Sequence, residues 1–317
     1  MLKIGIIGTG RIANRFVPEA ECVADVQVVS VYNPHESSAA SFGEKHGLQA
    51  FSDLEAFFAS VDAVYIASPH ETHVSYAGQA LEAGKHVLCE KPMAFSEKDA
   101  RELFEIAHAR GLCLTEGLKT AYAPGYEKIM ELVKSGCIGE AKYIEACFTK
   151  LTDEAGREFA NTGFGGSFTE LGSYVLLPAL SVFGTDYLDV SFVSIRNAKG
   201  LDTFTRATIQ YGAVDDGRGT DCDRFASVIC GLGAKSEGRL MISGTKGYIL
   251  VEAPWWKPTH ISVHYEDPSK VDTYECDFLG DGLRYELSVF VENIEKKSCS
   301  QQEVSVALAK IMEKFVQ

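Results

Sequence analysis

Apolar residues in the first 120 positions fall into short unbroken runs, separated by stretches with helical spacing. The runs Leu2–Ile7, Val26–Tyr32, Asp62–Ser68, His86–Cys89 and Leu112–Thr115 predict strands. Between them Arg11–Val17 (stopped near Pro18), Glu36–His46, Val74–Ala83 and Glu97–Arg110 predict helices. Strands without polar alternation, linked by helices, are covered on both faces and build a doubly wound parallel sheet.

Past Ala123 the pattern changes. Pro124–Ser135 predicts a linking helix. Polar and apolar residues then alternate through Lys142–Thr149, Val190–Arg196, Phe204–Tyr211, Phe225–Cys230, Arg239–Ser243, Tyr248–Val251, His260–Tyr265 and Thr273–Phe278. Alternation of period two, with turns between, predicts a large, mainly antiparallel open sheet. Helices over Arg284–Lys296 and Gln301–Phe315 are expected to close the chain. The reading is thus α/β: an N-terminal domain over 1–120 and a C-terminal α+β domain over 121–317.

Two domains suit 317 residues. With 46% hydrophobic and 23% charged residues, disorder is excluded. The apolar stretch Tyr174–Phe183 is far short of the ~20 residues a bilayer crossing needs, so no membrane span is expected. Net charge is 30 − 44 = −14, which argues against nucleic-acid and anionic-membrane partners. Nine cysteines without a C-x-x-C pair, and a strand starting at Leu2 where a targeting segment would lie, predict reduced thiols in the cytoplasm and no metal site.

Gly8-Thr9-Gly10-Arg11-Ile12-Ala13 places G-x-G-x-x-A directly after a strand and at the start of a helix. Gly8 permits the tight turn, Gly10 lets backbone approach a pyrophosphate, and Ala13 keeps helix and sheet close. In this context the motif predicts a Rossmann dinucleotide-binding domain holding NAD or NADP. Asn33, at the end of the second strand, is neither the acidic residue of an NAD site nor the arginine of an NADP site. It is either a ribose contact or simply the first residue of an Asn-Pro turn, and the choice of cofactor stays open. Glu90-Lys91-Pro92 ends another strand of this sheet, and ligands of open α/β sheets bind beyond those carboxyl ends. Lys91 is a functional candidate on that ground, against the ordinary fate of lysine as a solvated side chain.

At this point the chain resembles the Gfo/Idh/MocA oxidoreductases over essentially its whole length. The resemblance rests on Gly8–Ala13, Ser68-Pro69-His70-Glu71-Thr72-His73, the block from Ala80 to Pro92, Gly165–Tyr174, and Gly244-Thr245-Lys246-Gly247. It implies catalytic roles for Lys91, Tyr174 and Glu170. It also implies cofactor contacts from Gly8, Thr9, Gly10, Arg11, Ile12, Asn33, Ser68, Pro69, His70, His73, Glu90 and Lys91. Glu170-Leu171-Gly172-Ser173-Tyr174 resembles the tyrosine-bearing branch of glucose–fructose oxidoreductase and dihydrodiol dehydrogenase. Glu stands at 170 where those relatives carry Asp, and Ala121 stands where many carry an arginine, so the substrate cannot be copied across.

The chemistry explains the residue types. Hydride leaves an alcohol carbon only as its hydroxyl loses a proton, so an acid/base group must reach that oxygen. A tyrosine, with a pKa of about 10, needs a nearby cation such as an ammonium to serve. The expectation is a cytoplasmic NAD(P)-dependent dehydrogenase or reductase acting on a sugar, polyol or cyclic diol, assembled as a homodimer or homotetramer. A cofactor-sensing regulatory protein of the same fold is the alternative. Trp255-Trp256 could either wall a sugar ring or pack against its own sheet.

Overall fold

The computed structural model describes residues 1–160, 163–212 and 222–316. The chain divides into two compact units, Met1–Lys119 with Leu279–Lys310, and Thr120–Phe278 with the C-terminal tail from Ile311.

The first unit alternates strand and helix: β1 Leu2–Ile7, α1 Arg11–Ala20, β2 Val26–Tyr32, α2 Glu36–His46, β3 Gln49–Phe51, α3 Leu54–Ala59, β4 Ala63–Ile66, α4 His73–Glu82, β5 His86–Glu90, α5 Glu97–Arg110 and β6 Leu114–Gly117. The six strands pair in parallel in the order β3-β2-β1-β4-β5-β6. Successive residues point to opposite faces. Tyr65 and Leu88 therefore join one core with Phe16 and Phe42, while Val64, Ile66 and Val87 join the other with Phe57, Leu81 and Phe104. Local signals set the helix ends. Ser96 accepts from the amide of Asp99 at the start of α5, and Gly111 in the left-handed region ends it.

Three differences from the sequence reading have physical reasons. α1 runs through Pro18 to Ala20, because burial of Phe16, Val17 and Ala20 outweighs the one helical bond that proline removes. β3 and α3 are too short for periodicity to register, although Asp53 caps α3 through the amide of Ala56 at 2.7 Å. The domain boundary also needs correction, since α8 (Leu283–Lys296), assigned above to the C-terminal domain, covers the first sheet. Its Leu283, Leu287 and Phe290 lie in the same core as Phe16 and Tyr65. A local pattern predicts a helix; it does not say which sheet the helix returns to.

In the second unit α6 (Pro124–Lys134) precedes β7 Ala141–Thr149, and the buried α7 (Ser167–Phe183) follows. Then come β8 Asp189–Arg196, β9 Asp202–Gly212, β10 Cys222–Gly231, β11 Leu240–Gly244, β12 Gly247–Val251, β13 His260–Tyr265 and β14 Val271–Glu275. Strand order is β14-β13-β12-β11-β7-β10-β9-β8, antiparallel except where β7 meets β10. α7 packs on one face of this sheet. The strand register places the exposed Val193, Ile195, Phe225 and Tyr248 together on the other face. The closing helix α9 spans Gln302–Val316. No helix among the described residues is long and apolar enough to cross a membrane.

Candidate active site

Register fixes where the first unit's functional turns begin. Ile7, Ile66, Cys89 and Glu116 are paired across β1, β4, β5 and β6, so these strands end at one level. With neighbouring strands about 4.8 Å apart, the glycine turn and the Lys91 turn start roughly 10 Å from each other. Gly8 has φ +105°, and a Cβ there would stand 2.7 Å from the carbonyl oxygen of Ala67. Only glycine lets the turns after β1 and β4 lie so close. Gly10 faces open space, with nothing within 4 Å of its Cβ position, and no side chain caps the start of α1. An uncapped helix N-terminus with an open approach fits a pyrophosphate. Thr9 is braced by Asn33, whose amide donates to Thr9 Oγ1 at 2.9 Å while its oxygen accepts from the amide of His35 at 2.9 Å. Asn33 is therefore a turn residue that supports the glycine loop. Arg11 is exposed and Ile12 half-buried on the first turn of α1.

The turns after β4 and β5 are tied together by one ring. His73 is fully buried, with Nδ1 2.9 Å from the carbonyl of Pro92 and Nε2 3.0 Å from that of Ser68. Burial holds its pKa below the usual histidine value, against the pull of those two carbonyls. Neither nitrogen is turned outward, and His73 links the two turns. The sequence could not separate such a link from a cofactor contact, because both place a histidine after Ser68. Ser68 Oγ meets Thr72 Oγ1 at 2.7 Å, Pro69 is exposed, and His70 is half-buried with its ring 6.3 Å from that of Phe95.

Lys91 leaves β5 half-buried, between two buried carboxyls. Glu90 turns inward and accepts from the Tyr65 hydroxyl at 2.6 Å, so it supports the turn from below. Burial pushes the Glu90 pKa up, against the charge of Lys91 and the Tyr65 hydrogen bond. Glu116 accepts from the amide of Met93 at 2.9 Å and holds the far side of the turn. Tyr65 and Glu116 were missed from sequence. The signal is their strand register, which becomes visible only once strand order is known.

The second unit presents Tyr174 from α7. Every other residue from Ser167 to Leu180 is buried, and Tyr174 alone in that run is half-exposed. Its ring meets Phe148 edge-on at 5.3 Å, and Phe148 stacks on Trp256 at 3.5 Å. The Trp-Trp pair therefore divides its duties. Trp255 is fully buried, donating to the carbonyl of Cys147 at 2.9 Å, whereas Trp256 extends the aromatic row beside Tyr174. Glu170 pairs with Arg157 at 3.2 Å. The start of α7 is pinned by buried Asp202, which accepts from the Phe168 amide at 2.8 Å and the Thr205 hydroxyl at 2.7 Å. Arg157 and Asp202 carry no sequence motif; contacts across 13 and 34 positions reveal them.

The glycine turn and open helix start fit a dinucleotide-binding protein, and comparison with known proteins adds the redox class. Residues 2–118 match the GFO_IDH_MocA oxidoreductase family, with its NAD-binding Rossmann fold. Trans-1,2-dihydrobenzene-1,2-diol dehydrogenase of Bos taurus is 30% identical, over 93% of this chain and 89% of that protein. Scyllo-inositol 2-dehydrogenase (NADP(+)) of Bacillus subtilis is 29% identical over 99% and 95%. The chain belongs to the Gfo/Idh/MocA family and is an NAD(P)-dependent oxidoreductase. Among solved structures, a 3-ketoreductase from Actinomadura kijaniata with NADP and TDP-benzene shares the fold. Its TM-score is 0.81 at 22% identity, covering 98% of this chain and 96% of that one.

Proposed function

We propose that the enzyme moves hydride between a nicotinamide cofactor and a secondary alcohol or carbonyl of a polyol, sugar or cyclic diol. The observation that carries this reading is Lys91, set at the level of the glycine turn and braced by Glu90, Glu116 and the His73-tied turns. The bound nicotinamide supplies the hydride chemistry. In oxidation the substrate carbon gives up hydride as its hydroxyl gives up a proton; in reduction both return. Lys91 hydrogen-bonds the reacting oxygen and stabilises negative charge there, and Tyr174 exchanges the proton. Glu170, paired with Arg157, positions the helix that presents Tyr174.

Support for the substrate class comes from the inositol and dihydrodiol relatives, whose substrates share vicinal ring hydroxyls. An aromatic row of Tyr174, Phe148 and Trp256 suits such rings. Presence of both Lys91 and Tyr174 favours turnover over a cofactor-sensing role, which needs neither. The outer sheet face with Val193, Ile195, Phe225 and Tyr248 supports assembly as a homodimer or homotetramer.

The test is a screen of inositols, sugars and cyclic diols, followed by nicotinamide absorbance, then Lys91→Met and Tyr174→Phe on the best substrate. Each substitution should lower kcat by about 100-fold or more. Wild-type rates in both variants would remove the assigned roles.

A further inference from the structure

Between the first sheet and α8 lies a carboxyl group with no part in the chemistry above. Glu286, in the first turn of α8, is fully buried, and neither of its oxygens has a hydrogen-bond partner of normal geometry among the described residues. It occupies space that the sequence leaves empty at Gly117, where a Cβ would stand 3.4 and 3.5 Å from its two oxygens. Gly117 is the register partner of Glu90, so both positions project to the same face of the sheet. Glu90 and Glu286 thus share one buried compartment beneath the Lys91 turn.

Charges around this compartment come from every element packed against it. β5 contributes Glu90 and Lys91, and Lys119 follows β6 with its ammonium on the carbonyl of Asp281. β4 contributes the Tyr65 hydroxyl, already given to Glu90. Glu19 of α1 is held in the fork of Arg284, and Glu116 projects to the far side, toward Met93. Burial and then the charge of Glu90 push the Glu286 pKa well up, and the pull of Lys119 does not offset them. Two ionised carboxylates in one buried space are strongly disfavoured.

We propose that Glu286 is kept as a neutral carboxylic acid at neutral pH and serves as a positioning residue, leaving the negative charge on Glu90 to hold the Lys91 turn. Its role at Lys91 rests on the hydride-transfer reading; its protonation does not. Three measurements decide it.

Infrared spectra of the wild-type protein should show a protonated-carboxyl band at neutral pH that is lost in Glu286→Gln. Absence of the band in wild type, its loss well below that pH, or its persistence in the variant overturns the proposal. Thermal midpoints should diverge with pH. A carboxyl whose folded pKa lies above its unfolded value costs stability increasingly as pH rises between the two. Glu286→Gln escapes that cost, so its midpoint should gain on wild type by about 2 °C per pH unit as pH rises from 5 to 7. A constant difference overturns the proposal even if the variant is poorly stable. Finally, on a confirmed substrate, the pH profile of kcat in Glu286→Gln should keep the wild-type shape through neutral pH. Glu90→Gln, which removes the anion, should lower kcat at least about tenfold. A limb displaced equally in both variants would show two charges and sink the proposal. Failure to find any substrate touches only the reading of Lys91, because the first two measurements need none.

Discussion

The two units reach their functional groups by opposite means. In the first, the glycine turn after β1 is shaped by residues that lack something: Gly8 and Gly10 without side chains, α1 without a cap. In the second, Tyr174 is presented by a helix whose start and flank are held by side chains from distant positions, Asp202 and Arg157. Backbone devices are sensitive to any added atom and leave a compact motif. Side-chain devices tolerate drift in sequence and leave none.

Gly8→Ala would break the first half of this comparison most severely. It adds a methyl group at φ +105° and 2.7 Å from a backbone oxygen. Strain of roughly 3 kcal/mol should appear mainly as cofactor affinity, about a hundredfold in NAD(P) titration. Undiminished binding would show that the turn has slack. Asp202→Ala tests the second half. Losing a buried acceptor of two hydrogen bonds should cost about 3 kcal/mol in denaturant unfolding and lower turnover, while cofactor titration stays at its wild-type value. An equal loss of cofactor binding would dissolve the contrast between the units.

Glu19→Gln sharpens the comparison, because the first unit also uses long-range side-chain contacts, among them the Glu19–Arg284 fork. Arg284 donates to Glu19 at 3.0 and 2.9 Å, and the amides of Asp281 and Arg284 add two more bonds. Burial pushes the Glu19 pKa up, but these bonds outweigh it and bring it down to about 2. A carboxyl with a lowered folded pKa contributes stability in full above its unfolded value, near 4.5, and loses it as pH falls toward about 2. The variant should therefore cost about 2 kcal/mol at pH 7, with the gap in thermal midpoint closing toward pH 3. A gap that ignores pH would mean the fork is spectator to folding.

Legibility in the sequence follows the same division. The parallel sheet, the glycine turn and the placement of Lys91 at a strand end could all be read locally, since each depends on residues within one strand and its turn. Tyr174 came from resemblance, not from spacing: an aromatic in an apolar run looks like core, and half-exposure among buried neighbours shows only after folding. His73 is the instructive ambiguity. Its place after Ser68 suggested a ligand contact, yet both nitrogens face backbone carbonyls. Asp202 and Arg157 were illegible, because long-range contact carries no periodicity. The return of α8 to the first sheet was hidden for the same reason.

That return has a consequence for how the protein is made. Leu283, Leu287 and Phe290 complete a core begun by Ile4, Phe16 and Tyr65. During vectorial synthesis the alternating strands and helices emerge first, but with one sheet face still waiting for a helix that begins 166 residues after β6 (283 − 117). A ribosome that stalls or terminates early releases a half-roofed sheet, sticky and prone to aggregate or be degraded. Completion of that core is thereby coupled to translation through α8.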